Sequence, residues 1–88
     1  MAHEILIVDD EPDIRLLVEG LLRDEGYETR LAADSDSAIA AFRARRPSLV
    51  ILDVWLQGSR LDGLGILKAI QGEEPVVPTV MILSLIHI

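Results

Sequence analysis

Three aspartates follow two strongly apolar runs of the chain. Asp9 and Asp10 come directly after the run 5–8, and Asp53 comes directly after the run 49–52. If these runs are neighbouring strands, their carboxylates converge, and like charges at short range raise one another's pKa and destabilise the fold. A bound cation relieves that repulsion, and a site with only oxygen ligands and no His or Cys favours Mg²⁺ over zinc. The sequence therefore predicts a magnesium site formed by these three residues.

The predicted site suits phosphoryl transfer. Mg²⁺ usually takes one or two carboxylates, keeps several waters and leaves room for a phosphate oxygen. An aspartate carboxylate can itself be the nucleophile and become an acyl phosphate. The competing interpretation is that Asp9 and Asp10 only cap a helix and that Asp53 only caps or ends a loop, since Asp is a common cap residue. The occurrence of both motifs at matching strand ends favours the functional interpretation.

The strands that would position these aspartates are short. Residues 4–8 and 48–53 are nearly continuous aliphatic runs, which are typical of strands buried on both faces of a parallel sheet. Residues 27–32 alternate between apolar and polar side chains, which indicates a half-exposed edge strand. A fourth strand is predicted over residues 76–83, after a break at residues 72–75.

Three amphipathic helices are predicted between the strands. The first begins near Pro12 and ends near Gly26, the second is capped by Asp34 or Ser35, and the third spans about residues 62–71. The apolar side chains expected to face the sheet are Ile14, Leu17, Val18, Leu21 and Leu22 in the first helix, Ala38, Ile39, Ala41 and Phe42 in the second, and Leu64, Leu67 and Ile70 in the third.

Strands and helices alternate along the chain in the order β-α-β-α-β-α-β. This order predicts an α/β fold in which a parallel sheet with right-handed crossovers carries helices on both faces. Open sheets of this kind place their chemistry at the carboxyl ends of the strands. The three aspartates lie at two such ends, and we therefore treat them as the leading functional candidates.

Composition limits the class of protein. The chain has 88 residues, enough for one domain, and half of them are hydrophobic, which excludes a disordered polar tail. The formal net charge of −7 argues against a nucleic-acid-binding surface. The chain has no cysteine, no secretory signal and no apolar run long enough to span a bilayer. We expect a soluble cytoplasmic domain with no direct contact to membrane or nucleic acid.

Three segments resemble the receiver domain of bacterial two-component response regulators. They are ILIVDDEP at residues 5–12, LVILD at residues 49–53 and LDG at residues 61–63. The resemblance extends over residues 4–82. Most receivers have a Pro four residues after the phospho-accepting Asp, whereas this chain has Gln57 there and a loop that is two residues longer. That pattern resembles the NtrX type of nitrogen-regulation response regulators.

The resemblance implies a function and a set of site residues. Asp53 would accept a phosphoryl group from a phosphohistidine of a partner sensor histidine kinase. Asp9, Asp10 and Asp53 would bind Mg²⁺ together with the main-chain carbonyl of Trp55. The sheet would be flavodoxin-like, in the order 2-1-3-4, and the domain would be a signalling module, not an enzyme. Complete NtrX-type regulators add an AAA+ sigma-54-activating ATPase and a DNA-binding helix-turn-helix, so the chain would be the input module of a transcriptional regulator.

The C-terminal part departs from the receiver pattern. Receivers end the fourth strand with a Ser or Thr that bonds the phosphoryl group, but Leu83 occupies that position. Ser84 is the nearest hydroxyl, and because it lies one residue late, a strand-end bulge is needed to turn it toward the site. The fifth strand with its lysine and the last two helices are not recognisable, and Lys68 is the only lysine. We therefore expect an incomplete receiver over residues 1–82 and an atypical tail over residues 83–88.

An incomplete receiver has a consequence for stability. Without a fifth strand, the fourth strand is a hydrophobic open edge, which is a typical site of pairing between chains. We therefore expect the isolated chain to be unstable or to self-associate.

Two other functions use the same kind of sheet. A phosphatase of the haloacid-dehalogenase type also has an aspartate nucleophile and Mg²⁺, but it needs a second Asp two residues after the first, where this chain has Trp55. A flavin- or nucleotide-binding module needs a loop rich in Gly, Ser or Thr after the first strand, where this chain has three acidic residues at 9–11. Both alternatives therefore fit the sequence less well than the receiver does.

Overall fold

Four strands and three helices alternate along the part of the chain that the computed structural model describes, which is residues 3–54, 56, 60–73 and 76–82. The strands are β1 (Glu4–Val8), β2 (Glu28–Ala32), β3 (Leu49–Asp53) and β4 (Thr79–Ile82). The helices are α1 (Pro12–Asp24), α2 (Ser35–Ala44) and α3 (Gly63–Gln71). None of these helices is long and apolar enough to cross a membrane.

The strands form one parallel sheet in the order β2-β1-β3-β4. The register places Val8 of β1 level with Ala32 of β2 and with Leu52 of β3. The chain winds outward in one direction from β1 to β2 and in the other direction from β3 to β4, so the order reverses between β1 and β3. This arrangement confirms the predicted α/β fold and strand order, and it puts the switch point of the sheet, where open sheets bind ligands, beside the ends of β1 and β3.

The side chains of β1 alternate between two layers of the structure. Leu6 and Val8 belong to the main core, together with Phe42 of α2 and with Ile66 and Ile70 of α3. The intervening side chains of β1 are also buried, and α1 contacts β1 and β2. The sheet therefore carries α2 and α3 on one face and α1 on the other.

The apolar face of α1 is less covered than its sequence predicts. Ile14, Val18 and Leu22 are half-buried, but Leu17 and Leu21 are each 59% exposed. A helical period of 3.6 residues places the first three on one narrow stripe and the other two beside it. The prediction that Leu17 and Leu21 face inward was wrong, because the described elements contact only that narrow stripe.

The inward face of α3 also differs from its predicted position. Leu64 was expected to face the sheet and is 53% exposed, whereas Ile66, which was not predicted, is buried with Ile70. Gly63 is buried as well, and residues 63, 66 and 70 share one side of a helix. The helix is therefore rotated from its predicted orientation, because Gly63 faces the sheet and packs against the end of β3.

The last described strand is shorter than predicted. β4 begins at Thr79 instead of residue 76, and Leu83 lies outside the described residues. Pairing starts where the main-chain N–H of Val50 donates to the carbonyl of Pro78 at 3.0 Å. Proline has no N–H to contribute to a ladder, which explains why the strand starts immediately after it.

Two predicted helix ends are confirmed. Gly26 has a φ of 92°, a left-handed conformation that favours glycine, and its N–H donates to the carbonyl of Arg23 at 3.0 Å after the end of α1. Of the two candidate caps of α2, Asp34 is the N-cap, and its carboxylate accepts the N–H of Ser37 at 2.8 Å. The Ser37 hydroxyl in turn lies beside the N–H of Asp34, which completes a capping box.

Candidate functional site

The ends of β1 and β3 bring the three predicted aspartates together. Val8 is level with Leu52 in the parallel register, so Asp9 and Asp53 are the next residues at the same edge of the sheet. Both are fully buried, and Asp10 is half-buried. One carboxylate oxygen from each of the three residues lies within 4.8 Å of the others. The predicted convergence of these carboxylates is therefore present in the structure.

Asp9 is held firmly by its neighbours. Its main-chain N–H donates to the carbonyl of Ala32 at 3.1 Å, and its Oδ1 accepts the N–H of Glu11 at 2.9 Å. The Arg15 side chain donates to the carbonyl of Asp9 at 2.6 Å. The other carboxylate oxygen, Oδ2, is buried and accepts no hydrogen bond from any described residue. A buried carboxylate oxygen without a donor is costly unless a cation or water meets it.

The charges at this edge of the sheet oppose the ionisation of Asp9. Burial raises the pKa of Asp9 above its ordinary value, and the negative charges of Asp53 and Asp10 raise it further. The N–H of Glu11 and the positive charge of Arg15 act in the opposite direction, without reversing the shift. A divalent cation among the three carboxylates would offset both causes of the raised pKa, because it replaces lost hydration and neutralises the repulsion.

Chain geometry after Asp53 is fixed by close packing with the start of α3. An ideal Cβ on Gly63 would lie 2.1 Å from the main-chain oxygen of Asp53, so only glycine fits there. The N–H of Gly63 donates to the carbonyl of Val54 at 3.1 Å, and the N–H of Val54 donates to the carbonyl of Ile82 at 2.9 Å. Asp62 caps α3 by accepting the N–H of Gly65 at 2.8 Å. The LDG segment thus ties α3 to the end of β3.

The residues just before α3 are also tied to the start of α2. The N–H of Leu61 donates to the hydroxyl of Ser35 at 3.2 Å, and the guanidinium of Arg60 donates to Asp36 at 2.9 and 3.2 Å. Ser35 is fully buried, whereas the side chains of Arg60 and Asp36 are exposed. From the sequence, Ser35 was predicted only as a possible helix cap, because a hydrogen bond to a residue far along the chain leaves no local signal.

Several predicted site residues lie outside the described part of the chain. Trp55, with its expected carbonyl ligand, is one, and so is Gln57 in the longer loop. Ser84, the candidate switch hydroxyl, lies outside it as well, as does the whole segment 83–88. Their roles stay predictions. Arg15 was not predicted as a site residue, and its contact with Asp9 has no sequence signal beyond its place in the first turns of α1.

Residues 5–85 match the family described as the response regulator receiver domain, which is nearly the whole chain. The chain belongs to the response regulator receiver family. Proteins of this family are the receiving modules of two-component signalling systems and are regulatory proteins rather than typical enzymes. The family membership and the strand order agree with the resemblance seen in the sequence.

Sequence relatives point to the NtrX type. The chain is 65% identical over 82 residues to the nitrogen assimilation regulatory protein NtrX of Azorhizobium caulinodans, covering 93% of this chain and 18% of that protein. It is 41% identical over 78 residues to the probable transcriptional regulatory protein TcrX of Mycobacterium tuberculosis, covering 89% of this chain and 32% of that protein. The chain thus spans about a fifth of the NtrX relative and a third of TcrX.

Solved structures give the same relationship. The receiver domain of NtrX from Brucella abortus superposes with a TM-score of 0.84 at 62% identity, covering 88% of this chain and 64% of that one. A crystal structure of Brucella abortus NtrX superposes with a TM-score of 0.87 at 62% identity, covering 92% of this chain and 19% of that one. This chain is therefore similar to the NtrX receiver in both amino-acid sequence and backbone structure.

Proposed function

We propose that this receiver accepts a phosphoryl group on Asp53 from a sensor histidine kinase, with Mg²⁺ held by Asp9, Asp10, Asp53 and the main-chain carbonyl of Trp55. It would serve as the phosphorylation-dependent input module of an NtrX-type transcriptional regulator. The kinase partner and the DNA-binding part belong to this proposal, because the chain spans only a fraction of its NtrX relatives. A receiver of this kind would not itself contact DNA.

The observation that carries the proposal is the convergence of three carboxylates at the ends of β1 and β3. Asp9 Oδ2 accepts no hydrogen bond from a described residue, and oxygens of Asp10 and Asp53 lie within 4.8 Å of the Asp9 carboxylate. The three side-chain ligands are carboxylates and the fourth proposed ligand is a main-chain carbonyl, so all of them offer oxygen, the donor type that Mg²⁺ prefers. The donor set and its charge therefore fit Mg²⁺, and they fit zinc poorly because His and Cys ligands are absent from the cluster.

Asp53 has the chemistry required of the acceptor. Its carboxylate oxygen attacks the phosphorus of the donor phosphohistidine, a new P–O bond forms, and the P–N bond breaks with its electron pair going to the imidazole nitrogen. When bound, Mg²⁺ supplies charge neutralisation for the phosphoryl oxygens and the attacking carboxylate. Asp9 and Asp10 would hold the ion, and Arg15 would keep the main chain of Asp9 in place through its hydrogen bond to the carbonyl.

The product explains how a signal would leave the site. Phosphorylation replaces the single negative charge of the buried carboxylate with a phosphoryl group that carries about two negative charges and strong acceptor oxygens. The phosphoryl group would lie at the end of β3. The next residue, Val54, is hydrogen-bonded through its main chain to Ile82 of β4 and to Gly63 of α3. New charge at this point would favour a different arrangement of the neighbouring loops, as in other phosphorylation switches. Ser84 is the candidate hydroxyl for reading the phosphoryl group.

Family membership separates this proposal from a phosphatase function. A haloacid-dehalogenase-type phosphatase would use the same aspartate and cation, but the chain matches receivers over residues 5–85. The signalling function is therefore favoured over a hydrolytic one.

Acetyl phosphate provides a direct test that needs no knowledge of the cognate kinase. The chain is incubated with acetyl phosphate and Mg²⁺, and its intact mass is measured before and after. We expect a gain of one phosphoryl group that is lost at alkaline pH, as an acyl phosphate should be, and that does not form when a chelator removes Mg²⁺. A mass that never changes, or a gain that is independent of Mg²⁺, would contradict the proposal.

A further inference from the structure

The first turn of α2 contacts the segment that leads from Asp53 into α3. Ser35 is the first residue of α2, is fully buried, and accepts the N–H of Leu61 at 3.2 Å. The adjacent Asp36 accepts two hydrogen bonds from the Arg60 guanidinium. Two consecutive residues of one helix therefore hold two consecutive residues of the loop that returns from the phospho-acceptor strand.

Capping of α2 does not account for the burial of Ser35. The N-cap is Asp34, and the capping box is completed by Ser37, whose hydroxyl and N–H both interact with Asp34. A serine in the first turn of a helix is ordinarily exposed or used in capping. Here its hydroxyl is directed toward the loop before α3, where it satisfies a main-chain donor.

Residues 60–61 are connected to Asp53 through the next two residues of the chain, Asp62 and Gly63. Leu61 packs against the hydrophobic core and precedes Asp62, which caps α3. Gly63 then lies against the main-chain oxygen of Asp53 and donates its N–H to the carbonyl of Val54. Residues 60–61 are therefore connected to the end of β3 through the main chain of Asp62 and Gly63 and through the contacts of Gly63.

We propose that Ser35 and Asp36 are positioning residues for the phosphorylation site: they hold residues 60–61 so that the loop after Asp53 keeps the geometry required for Mg²⁺ binding and phosphoryl transfer. This inference rests on the proposed function, because it assigns a role at the same site. Ser35 and Asp36 lie on α2, outside the acidic cluster, and their interactions with residues 60–61 differ in kind. The buried neutral bond fixes the main chain, and the exposed ion pair adds a second point of attachment.

The decisive variant is Ser35→Ala, with Ser37→Ala as its matched control. Both remove a hydroxyl from the first turn of α2, but only the first removes the bond to Leu61. Mg²⁺ binding is read from the fluorescence of Trp55, the only tryptophan, which lies two residues after Asp53 in the chain. Amide hydrogen exchange at Leu61 is read in parallel without Mg²⁺, and thermal unfolding checks that both variants are folded.

We expect Ser35→Ala to raise the Mg²⁺ concentration at half-saturation by on the order of fivefold, the factor that corresponds to the net worth of one hydrogen bond. Exchange at Leu61 should become faster in the same variant, and Ser37→Ala should change neither quantity. Equal half-saturation in Ser35→Ala and Ser37→Ala, with a normal response of the unsubstituted chain, would overturn this inference and leave the proposed function standing. No Mg²⁺ response in the unsubstituted chain would overturn the proposed function itself.

A second variant keeps the test decisive if Ser35→Ala fails to fold. Arg60→Gln removes the exposed ion pair with Asp36, and exposed pairs contribute little to stability. The expected result is a weaker change in the same direction, with roughly a twofold higher half-saturation for Mg²⁺ and faster exchange at Leu61. Unchanged exchange and unchanged Mg²⁺ binding in this folded variant would contradict the anchoring role of Asp36.

Discussion

Gly63 at the start of α3 packs directly on the main-chain oxygen of Asp53, so closely that a Cβ would lie 2.1 Å from that oxygen and 2.8 Å from the Cα of Val54. Contacts of this length do not exist between a real Cβ and backbone. The position of α3 relative to the end of β3 is therefore set by the absence of a side chain at residue 63. This contact links β3, which ends in the proposed acceptor Asp53, to α3.

Substitution of Gly63 should be strongly destabilising. Gly63→Ala must push α3 away from β3, and overpacking of this kind costs about 1–3 kcal/mol or more in the free energy of unfolding. Gly20→Ala is the control, because a Cβ there meets nothing within 4 Å and the residue lies inside α1. The control should be stabilised by roughly 0.5–1 kcal/mol, since alanine favours a helix interior over glycine. Urea unfolding of both variants measures these differences, and equal stability would refute the contact.

The contact of Gly63 with Asp53 sets a feature that could not be predicted from the sequence, the orientation of α3. The strands, their order along the chain and the three aspartates follow from short-range patterns, because buried aliphatic runs and acidic strand ends are local features. The rotation of α3 does not, since Gly63 sets it through a tertiary contact, and Leu64 was predicted inward in place of Ile66. Ser35 was visible only as a helix cap for the same reason, because its partner Leu61 is distant in sequence.

Glu4 at the start of β1 should make stability depend on pH. A hydrogen bond from Arg45 holds the pKa of Glu4 below its ordinary value, although burial opposes the shift, and the charge of Arg30, with an Nη2 2.8 Å from Glu4 Oε1, lowers it further. A lowered folded pKa means that the carboxylate stabilises the fold above the unfolded-state value of 4.5 and that this contribution is lost as pH falls through the folded-state value. We therefore expect Glu4→Gln to be less stable than the unsubstituted chain at neutral pH.

The difference between the two proteins should shrink as the solution is acidified below the ordinary glutamate pKa. Urea unfolding at a series of pH values measures this convergence, and Glu25→Gln, at the exposed C-cap of α1, provides the matched control. A difference that stays constant from neutral to acidic pH would show that the charge of Glu4 does not contribute to the free energy of unfolding.

Asp10 should be required for Mg²⁺ binding. Asp10→Ala removes one of the three carboxylates that lie within 4.8 Å of one another, so the Mg²⁺ concentration at half-saturation should rise by about tenfold or more. Titration of Trp55 fluorescence measures the change. Asp13→Asn serves as the control, because Asp13 is exposed in the first turn of α1 and lies outside the cluster. An unaltered titration of Asp10→Ala would remove Asp10 from the proposed ligand set.

The 88-residue chain on its own should self-associate. β4 is an outer strand of the described sheet, with β3 as its neighbour, and Val80 on that strand is 49% exposed. Leu17 and Leu21 add exposed apolar surface on α1. An edge strand with apolar side chains pairs readily with other chains, and lysine on such an edge opposes pairing. Sedimentation should show concentration-dependent association that Val80→Lys reduces. A monomer at all concentrations would contradict this prediction.

Phosphorylation of Asp53 is the central claim, and one comparison tests it most directly. The unsubstituted chain, Asp53→Asn and Asp24→Asn are each treated with acetyl phosphate and Mg²⁺, and the phosphoryl group is located by mass spectrometry after peptide digestion. Asp24 is the exposed last residue of α1. It lies near the amino ends of the strands, whereas the cluster lies at their carboxyl ends. The account predicts labelling at Asp53 in the unsubstituted chain and in Asp24→Asn, and no labelling in Asp53→Asn, because an amide is not a competent nucleophile. Equal labelling of all three proteins would contradict it.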